Sequence, residues 1–303
     1  MERHNRGILE FYSRTLRHRA VTELSALAKR DRSYRIGNHD AVLPPGHKLP
    51  WFQAVFPTYD RYAVKVLELL AKKSSRPLLI DIGANVGDTT LLAVSAVPGL
   101  EVRAVEGNPE FVSYLRHNTS GMRGVQVIDR FVEVSGMDSV QYATDGSTGG
   151  FQRGKGQRGP DDQSWVTVDD LLKDVQDHDL VVWKSDTDGL DLMLLRENWM
   201  KINAVASVMW FEFDPFLDVE EGAGLPALLE LVRSSGRIMH VVDSVGRPMF
   251  TTEADTATSV LAGLAEWLAQ AAVPGEPAYL DIWLVARDLA HVDSHGRWML
   301  GPS

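Results

Sequence analysis

From residue 77 onward, short apolar runs alternate with stretches of helical periodicity, and this rhythm constrains the fold more than any other feature. PLLIDIG (77–83), EVRAVEG (101–107), VQVID (125–129), DLVVWKSD (179–186), VASVMWFEF (205–213), RIMHVVD (237–243) and YLDIWLVAR (279–287) read as strands. Helical patterns fall between them, at 88–97, from Asn108-Pro109-Glu110 onward, and at 168–176, 189–198, 226–235 and 256–272. Strands that are apolar throughout, rather than at every second residue, are buried on both faces. The expectation is an α/β fold: a mostly parallel sheet of seven strands with helices on both sides.

The residues before this alternation read differently. Leu9, Tyr12, Leu16, Leu24 and Leu27 recur at helical spacing, so 6–30 is expected to form an amphipathic helix packed on the domain or on a second copy of the chain. Residues 40–61 carry four prolines with Trp51, Phe52 and Phe56. They are read as an ordered irregular segment, with Tyr59, Asp60 and Arg61 contributing to a lid. The division expected is an extension and lid over 1–60 and one domain over 61–303. The glycine-rich stretch 144–164 reads as a mobile surface loop. Within it, Gly149 to Lys155 matches G-x-x-x-x-G-K, but Gly156 replaces the Ser or Thr of a phosphate loop and no helix can follow.

Charge and composition exclude several classes. The 303 residues hold 31 Lys+Arg against 41 Asp+Glu, a net charge of −10, which makes nucleic acid or an anionic membrane surface a poor partner. The longest run without a charged side chain, Thr89 to Leu100, is too short to span a bilayer. The opening MERHNRGILEF has no apolar core of a signal peptide, so a cytoplasmic protein is expected. The absence of cysteine removes thiolate metal sites and a thiol nucleophile.

The sharpest local signal is the corner Leu78-Leu-Ile-Asp81-Ile-Gly83-Ala-Asn85-Val-Gly87-Asp88-Thr89-Thr90. Gly83 and Gly87 let the backbone turn and approach a ligand closely, and the helix that opens there presents free N–H groups. A dinucleotide corner would read G-x-G-x-x-G. Here the spacing is G-x-N-x-G behind an acid, which suits a ligand with an ammonium group, such as S-adenosylmethionine. The next strand ends in Glu106-Gly107-Asn108, where an acid can hold the hydroxyls of a ribose. The third strand tip offers Asp129, Arg130 and Phe131 to an adenine.

Acids gather again at the later strand tips: Asp186, Asp188 and Asp191 after the fourth, Glu212 and Asp214 at the fifth. In open α/β sheets such tips face the ligand crevice. Three roles stay open from the residues alone: a general base for a hydroxyl, a hard cation held through oxygen, or hydrogen bonds to Lys184, Arg196 and backbone amides. No metal is assigned. Asp186, Asp188 and Glu212, in that order, are the candidate catalytic groups. His240, inside a strand, is read as a satisfied core residue, and Trp51 as either a cover for the ligand or packing under a loop.

DIGANVGDTT (81–90), AVEGNP (104–109), VTVDDLL (166–172), VVWKSDTDGLDLMLL (181–195) and WFEFDP (210–215), in that order, resemble the FkbM family of S-adenosylmethionine-dependent methyltransferases. Val168 and Gly107 depart from the leucine and proline common there. The resemblance implies a Rossmann-like, doubly wound, class I methyltransferase sheet behind an N-terminal helical extension. It also implies O-methylation of a sugar or small secondary metabolite in natural-product biosynthesis. The cofactor residues expected are Asp81, Gly83, Asn85, Gly87, Asp88, Thr89, Glu106, Gly107, Asn108, Asp129 and Phe131. A homodimer through the N-terminal helix is a further expectation. A non-catalytic or N-methylating S-adenosylmethionine-binding protein, or a nicotinamide-dependent oxidoreductase, are the alternatives.

Overall fold

A computed structural model describes residues 16–135, 140–144, 149–153, 164–215, 223–271 and 279–301. The central sheet contains β1 (Pro77–Ile82), β2 (Glu101–Val105), β3 (Val125–Ile128), β4 (Leu180–Ser185), β5 (Val208–Phe213), β6 (Ile238–Asp243), β7 (Pro248–Glu253) and β8 (Leu280–Val285). Their order across the sheet is 7-6-8-5-4-1-2-3. The pairs β1–β2, β2–β3, β1–β4 and β4–β5 are parallel, and β8 runs antiparallel to both β5 and β6. The order reverses at β1, so β1 and β4 flank the switch point where a ligand crevice opens.

All seven expected strands are present. The eighth, β7, is an edge strand paired among the described residues with β6 alone, and none of its residues is buried. Its Pro248 sits where an edge tolerates a missing N–H, and its sequence PMFTTE lacks the apolar run that marks a buried strand.

Alternate residues of the central strands feed two cores. Leu78, Ile80, Trp183 and Phe211 pack under the helices Asp191–Val205, Leu225–Ser234 and Ala254–Ala271. Leu79, Val182, Val208 and Trp210 pack under Arg61–Leu70, Asp88–Ala96 and Pro109–Asn118. Every residue of β1, β4 and β5 is buried, which is why those strands read as unbroken apolar runs. His240 sits in this interior as expected. Its ring nitrogens meet Tyr62 Oη at 3.1 Å and Thr251 Oγ1 at 2.7 Å, and burial lowers its pKa to about 4.

The N-terminal part departs from expectation. Residues 32–43 form a hairpin, Arg32–Ile36 against His39–Leu43, followed by a helix Leu49–Val55 with Pro50 in its first turn. The two-residue turn Gly37-Asn38 between Ile36 and His39 is the signal for this hairpin. Ile36, Ala41, Leu43 and Leu49 share a third core with Val86, Leu91 and Phe111, so the hairpin leans on the corner after β1. Asn118 fastens it, accepting from Val42 N at 2.7 Å and donating to Val42 O at 3.0 Å and Val86 O at 2.8 Å.

The helix over 16–28 turns its leucines outward. Leu16, Leu24 and Leu27 are 65%, 62% and 82% exposed. A polar seam faces the body instead: Gly46 N donates to Ser25 Oγ at 3.1 Å, and Arg32 Nη2 lies 3.2 Å from His18 Nδ1. Leu9 and Tyr12 lie outside the described residues. The glycine-rich stretch is also not simply a loop, because Gly149–Arg153 pairs antiparallel with Val140–Thr144. The remainder of 144–163, Lys155 included, lies outside the described residues.

Candidate active site

The corner after β1 is built on backbone that only small or left-handed residues supply. Gly83 has φ +77°, and a Cβ there would stand 1.7 Å from the carbonyl oxygen of Asp186. The tips of β1 and β4 touch at this point, with Asp186 N donating to Ile82 O at 3.0 Å. Asn85 (φ +50°) and Gly87 (φ +89°) complete the turn into the helix Asp88–Ala96.

Glu106 ties this corner to the tip of β2. One carboxylate oxygen accepts from Asn85 N at 2.9 Å and the other from Asn108 N at 2.7 Å. Burial raises its pKa, opposed by these backbone amides. Gly107 N also donates to this carboxylate, which leaves one acceptor position for another donor. Asn108 caps the helix Pro109–Asn118 through its Oδ1, which accepts from Glu110 N at 3.0 Å. Its Nδ2 is buried with no hydrogen-bond partner among the described residues. The Phe131 ring lies over Gly107, where a Cβ would come within 2.1 Å of it, and is tilted against Trp165. Gly107 is therefore fitted to Phe131 and leaves no space for the bulkier proline.

These groups surround a cavity of about 460 Å³ at the carboxyl ends of the strands. Of the expected cofactor residues, Gly83, Asn85, Asp88, Thr89, Glu106, Gly107, Asn108 and Phe131 line it. Asp81, Gly87 and Asp129 do not. Asp129 is half exposed on the outer surface and pairs with Arg116 at 2.7 Å. Gly87 shapes the turn from behind.

Asp81 departs furthest from its expected role. It is fully buried beneath the cavity, accepting from Thr90 Oγ1 at 2.7 Å and Lys184 Nζ at 2.9 Å. The cation it receives is the protein's own lysine. Burial works against the charge on Lys184, but Asp81, Asp186 and Asp88 outweigh it and hold its pKa above the ordinary lysine value. Lys184 also lies 5.5 Å from the Trp210 ring centre.

Asp186, Asp188 and Glu212 all line the cavity. Asp186 keeps a 48% exposed side chain, 3.4 Å from Lys184 Nζ. Glu212 is buried and hydrogen-bonded to Asp186; burial, then the adjacent Asp186, push its pKa well up. Asp88 is raised to about 6 by burial, with Lys184 opposing. Asp191 faces inward and accepts from Thr187 N at 3.1 Å, which fixes the turn after β4. Asp214 also lines the cavity. No group of three or more potential metal-binding side chains occurs among the described residues.

Residues ahead of β1 also contribute to the wall. His47, Leu49, Phe52, Tyr59 and Asp60 line the cavity, as does Tyr279 just before β8. Phe52 and Tyr59 stack with ring centres 5.3 Å apart. Trp51 packs beside Phe52, at 4.9 Å, without lining the cavity. Tyr279 escaped the sequence reading because it belongs to no motif; only its place at a strand start hints at it.

The FkbM methyltransferase domain model matches residues 81–238, from the buried Asp81 to the start of β6. The chain belongs to the FkbM methyltransferase family. Its cofactor is S-adenosylmethionine, and the cavity fits that group: Glu106 has an acceptor position left for a hydroxyl, Asn108 Nδ2 is a buried donor with no partner among the described residues, and Phe131 presents a ring face. A protein-L-isoaspartate O-methyltransferase from Aeropyrum pernix is 33% identical over 125 residues, covering 40% of this chain and 42% of that protein. The chain thus aligns with about two-fifths of that relative's length. Among solved structures, a precorrin-6y C5,15-methyltransferase from Geobacter metallireducens is similar over 74% of this chain and 87% of its own, at 14% identity and TM-score 0.38. An O-methyltransferase from Bacillus cereus, solved with S-adenosylhomocysteine, is similar over 74% and 80%, at 12% identity and TM-score 0.38.

Proposed function

We propose that the protein methylates a hydroxyl group of a sugar or small secondary metabolite. The observation that carries this reading is the Asp186–Glu212 pair at the cavity wall, with Lys184 behind it. S-adenosylmethionine supplies a methyl group already activated on a sulfonium, so the protein must place an oxygen and take its proton. Asp186 is the exposed member of the pair, 3.4 Å from Lys184 Nζ. It accepts the hydroxyl proton as the new C–O bond forms and the C–S bond breaks. Glu212 orients Asp186 through their shared hydrogen bond. A cavity of about 460 Å³ lies in the usual range for small-molecule sites, roughly 300–1,000 Å³.

The test is mass-spectrometric detection of S-adenosylhomocysteine and of an O-methyl product across a panel of hydroxylated acceptors. Asp186→Asn is expected to lower turnover at least ~100-fold, the usual scale for a general base, with cofactor affinity kept. Turnover unchanged in that variant would remove Asp186 from the reaction.

A further inference from the structure

Part of the cavity wall is fastened to the turn between β6 and β7. Thr58 Oγ1 donates to Val245 O at 2.7 Å, a contact between residues 187 apart in the chain. Gly246 lies against the Thr58 carbonyl: a Cβ there would stand 2.4 Å from Thr58 O and 3.2 Å from Tyr59 N. That same carbonyl accepts from Tyr62 N at 3.1 Å, where the helix Arg61–Leu70 begins. Tyr62 Oη in turn lies 3.1 Å from His240 Nε2 on β6. One hairpin, β6 and β7, thus holds the wall at Thr58 and again at Tyr62.

The turn is the more firmly built of the two partners. Asp243 Oδ1 accepts from Val245 N at 3.1 Å and from Arg247 N at 2.8 Å. Arg247 Nε donates to Asp243 Oδ2 at 2.6 Å, and Gly246 N to Asp243 O at 2.9 Å. On the wall side, Asp60 adopts φ +57°, an uncommon backbone conformation for a residue with a side chain. It accepts from Gln53 Nε2 at 3.3 Å. A push from position 246 is therefore taken up by residues 58–60 rather than by the turn.

Tyr59 carries such a push into the cavity. It lines the wall, stacks on Phe52 with ring centres 5.3 Å apart, and is hydrogen-bonded to Tyr279. Tyr59 and Tyr279 both lie within electrostatic reach of Asp186, and Tyr279 within reach of Glu212. This face therefore borders the side of the cavity where Asp186 stands. Placement there matters steeply, since a shift of about 1 Å costs up to ~100-fold in rate.

We infer that Thr58 and Gly246 are positioning residues: by clamping the backbone at residue 58 they set the Tyr59 ring beside Asp186, where it orients the methyl acceptor. Both lie outside the stretch 81–238 matched by the family model. The inference rests on the methyl-transfer reading for the ligand that Tyr59 meets; the clamp itself does not.

The test labels the full chain with 3-fluorotyrosine, saturates it with S-adenosylhomocysteine, and assigns the Tyr59 fluorine signal by its loss in Tyr59→Phe. Gly246→Ala is expected to shift that signal. Thr58→Val, made separately in case Gly246→Ala fails to fold, keeps the side-chain shape, removes the hydroxyl and should shift it too. Thr58→Ser should restore it. S-adenosylhomocysteine affinity, measured by calorimetry, should be kept in all three. Glucose and 4-ethylphenol serve as acceptor probes. With either that turns over, kcat/KM for the acceptor should fall at least ~10-fold in Gly246→Ala and Thr58→Val and recover in Thr58→Ser. A Tyr59 signal unmoved in both variants would overturn the inference. So would a moved signal with acceptor kcat/KM unchanged, or a loss of S-adenosylhomocysteine affinity as large as the loss in kcat/KM. Methylation of neither probe counts against the hydroxyl reading, and the fluorine signal then decides the clamp by itself.

Discussion

Asp81 and Lys184, 103 residues apart in the chain, form an ion pair at 2.9 Å that is closed off from solvent on both sides. It joins β1 to β4 below the cavity floor, and Thr90 closes the remaining side of the carboxylate. The acid of the D-x-G corner thus works as a structural counter-charge to the lysine of the K-x-D-x-D-G segment. Removing either partner takes the main counter-charge from a buried group, which costs up to roughly 3–5 kcal/mol. Lys184→Met and Asp81→Asn are therefore expected to lower the thermal midpoint strongly, and the double variant to be less destabilised than the sum of the two. Chemical denaturation of the four proteins measures this; simple additivity would show that the pair is not coupled.

Glu106 contrasts with Asp81. It faces the cavity while its two oxygens hold Asn85 N and Asn108 N. Glu106→Gln keeps the shape but offers only one acceptor oxygen, so one of those amides and any ligand hydroxyl must compete. S-adenosylhomocysteine affinity is expected to fall at least ~10-fold, on the scale of a lost charge-assisted hydrogen bond. The thermal midpoint of the ligand-free protein should fall far less than in Asp81→Asn. Titration calorimetry beside a melting curve distinguishes the two acids.

How much of this was legible in the sequence follows from the range of each interaction. The strands and the glycine corner were readable because their signals are local: apolar runs, Gly83 and Gly87, the Asn108 cap. The expected face of Asp81 was misread because its partner lies in a distant strand, and nothing near position 81 shows that a lysine will reach it. The edge strand β7 and the outward leucines of residues 16–28 were missed for a related reason. Patterning records which residues are apolar; it does not record which surface a neighbour covers.

Gly107 and Phe131 are a mutually fitted pair. Gly107→Ala would place a methyl group about where the Phe131 ring now lies, so the ring must move away from the cavity wall. Overpacking of this kind costs about 1–3 kcal/mol. S-adenosylhomocysteine affinity should weaken by roughly tenfold, and a second change, Phe131→Leu, should restore part of the lost stability. A double variant that is worse than either single change would contradict the fitted-pair account.

The buried acids make stability depend on pH in an unusual direction. Burial raises Asp281 to about 7, opposed by its hydrogen bond from Trp210 Nε1 at 3.1 Å, and raises Asp88 and Asp191 to about 6. Each group binds its proton more tightly folded than unfolded. Between about pH 4, where such carboxyls titrate in an unfolded chain, and these raised values, the folded state holds the extra protons. Stability therefore falls as pH rises through that window, by up to ~1.4 kcal/mol per pH unit for each group still titrating. The ligand-free protein should melt at a higher temperature at pH 5.5 than at pH 8. Asp281→Asn keeps an acceptor for Trp210 and removes one titration, so its melting temperature should decline less over the same range. A midpoint that climbs steadily from pH 5.5 to 8 in the native sequence would show that these carboxyls are ionised in the folded protein.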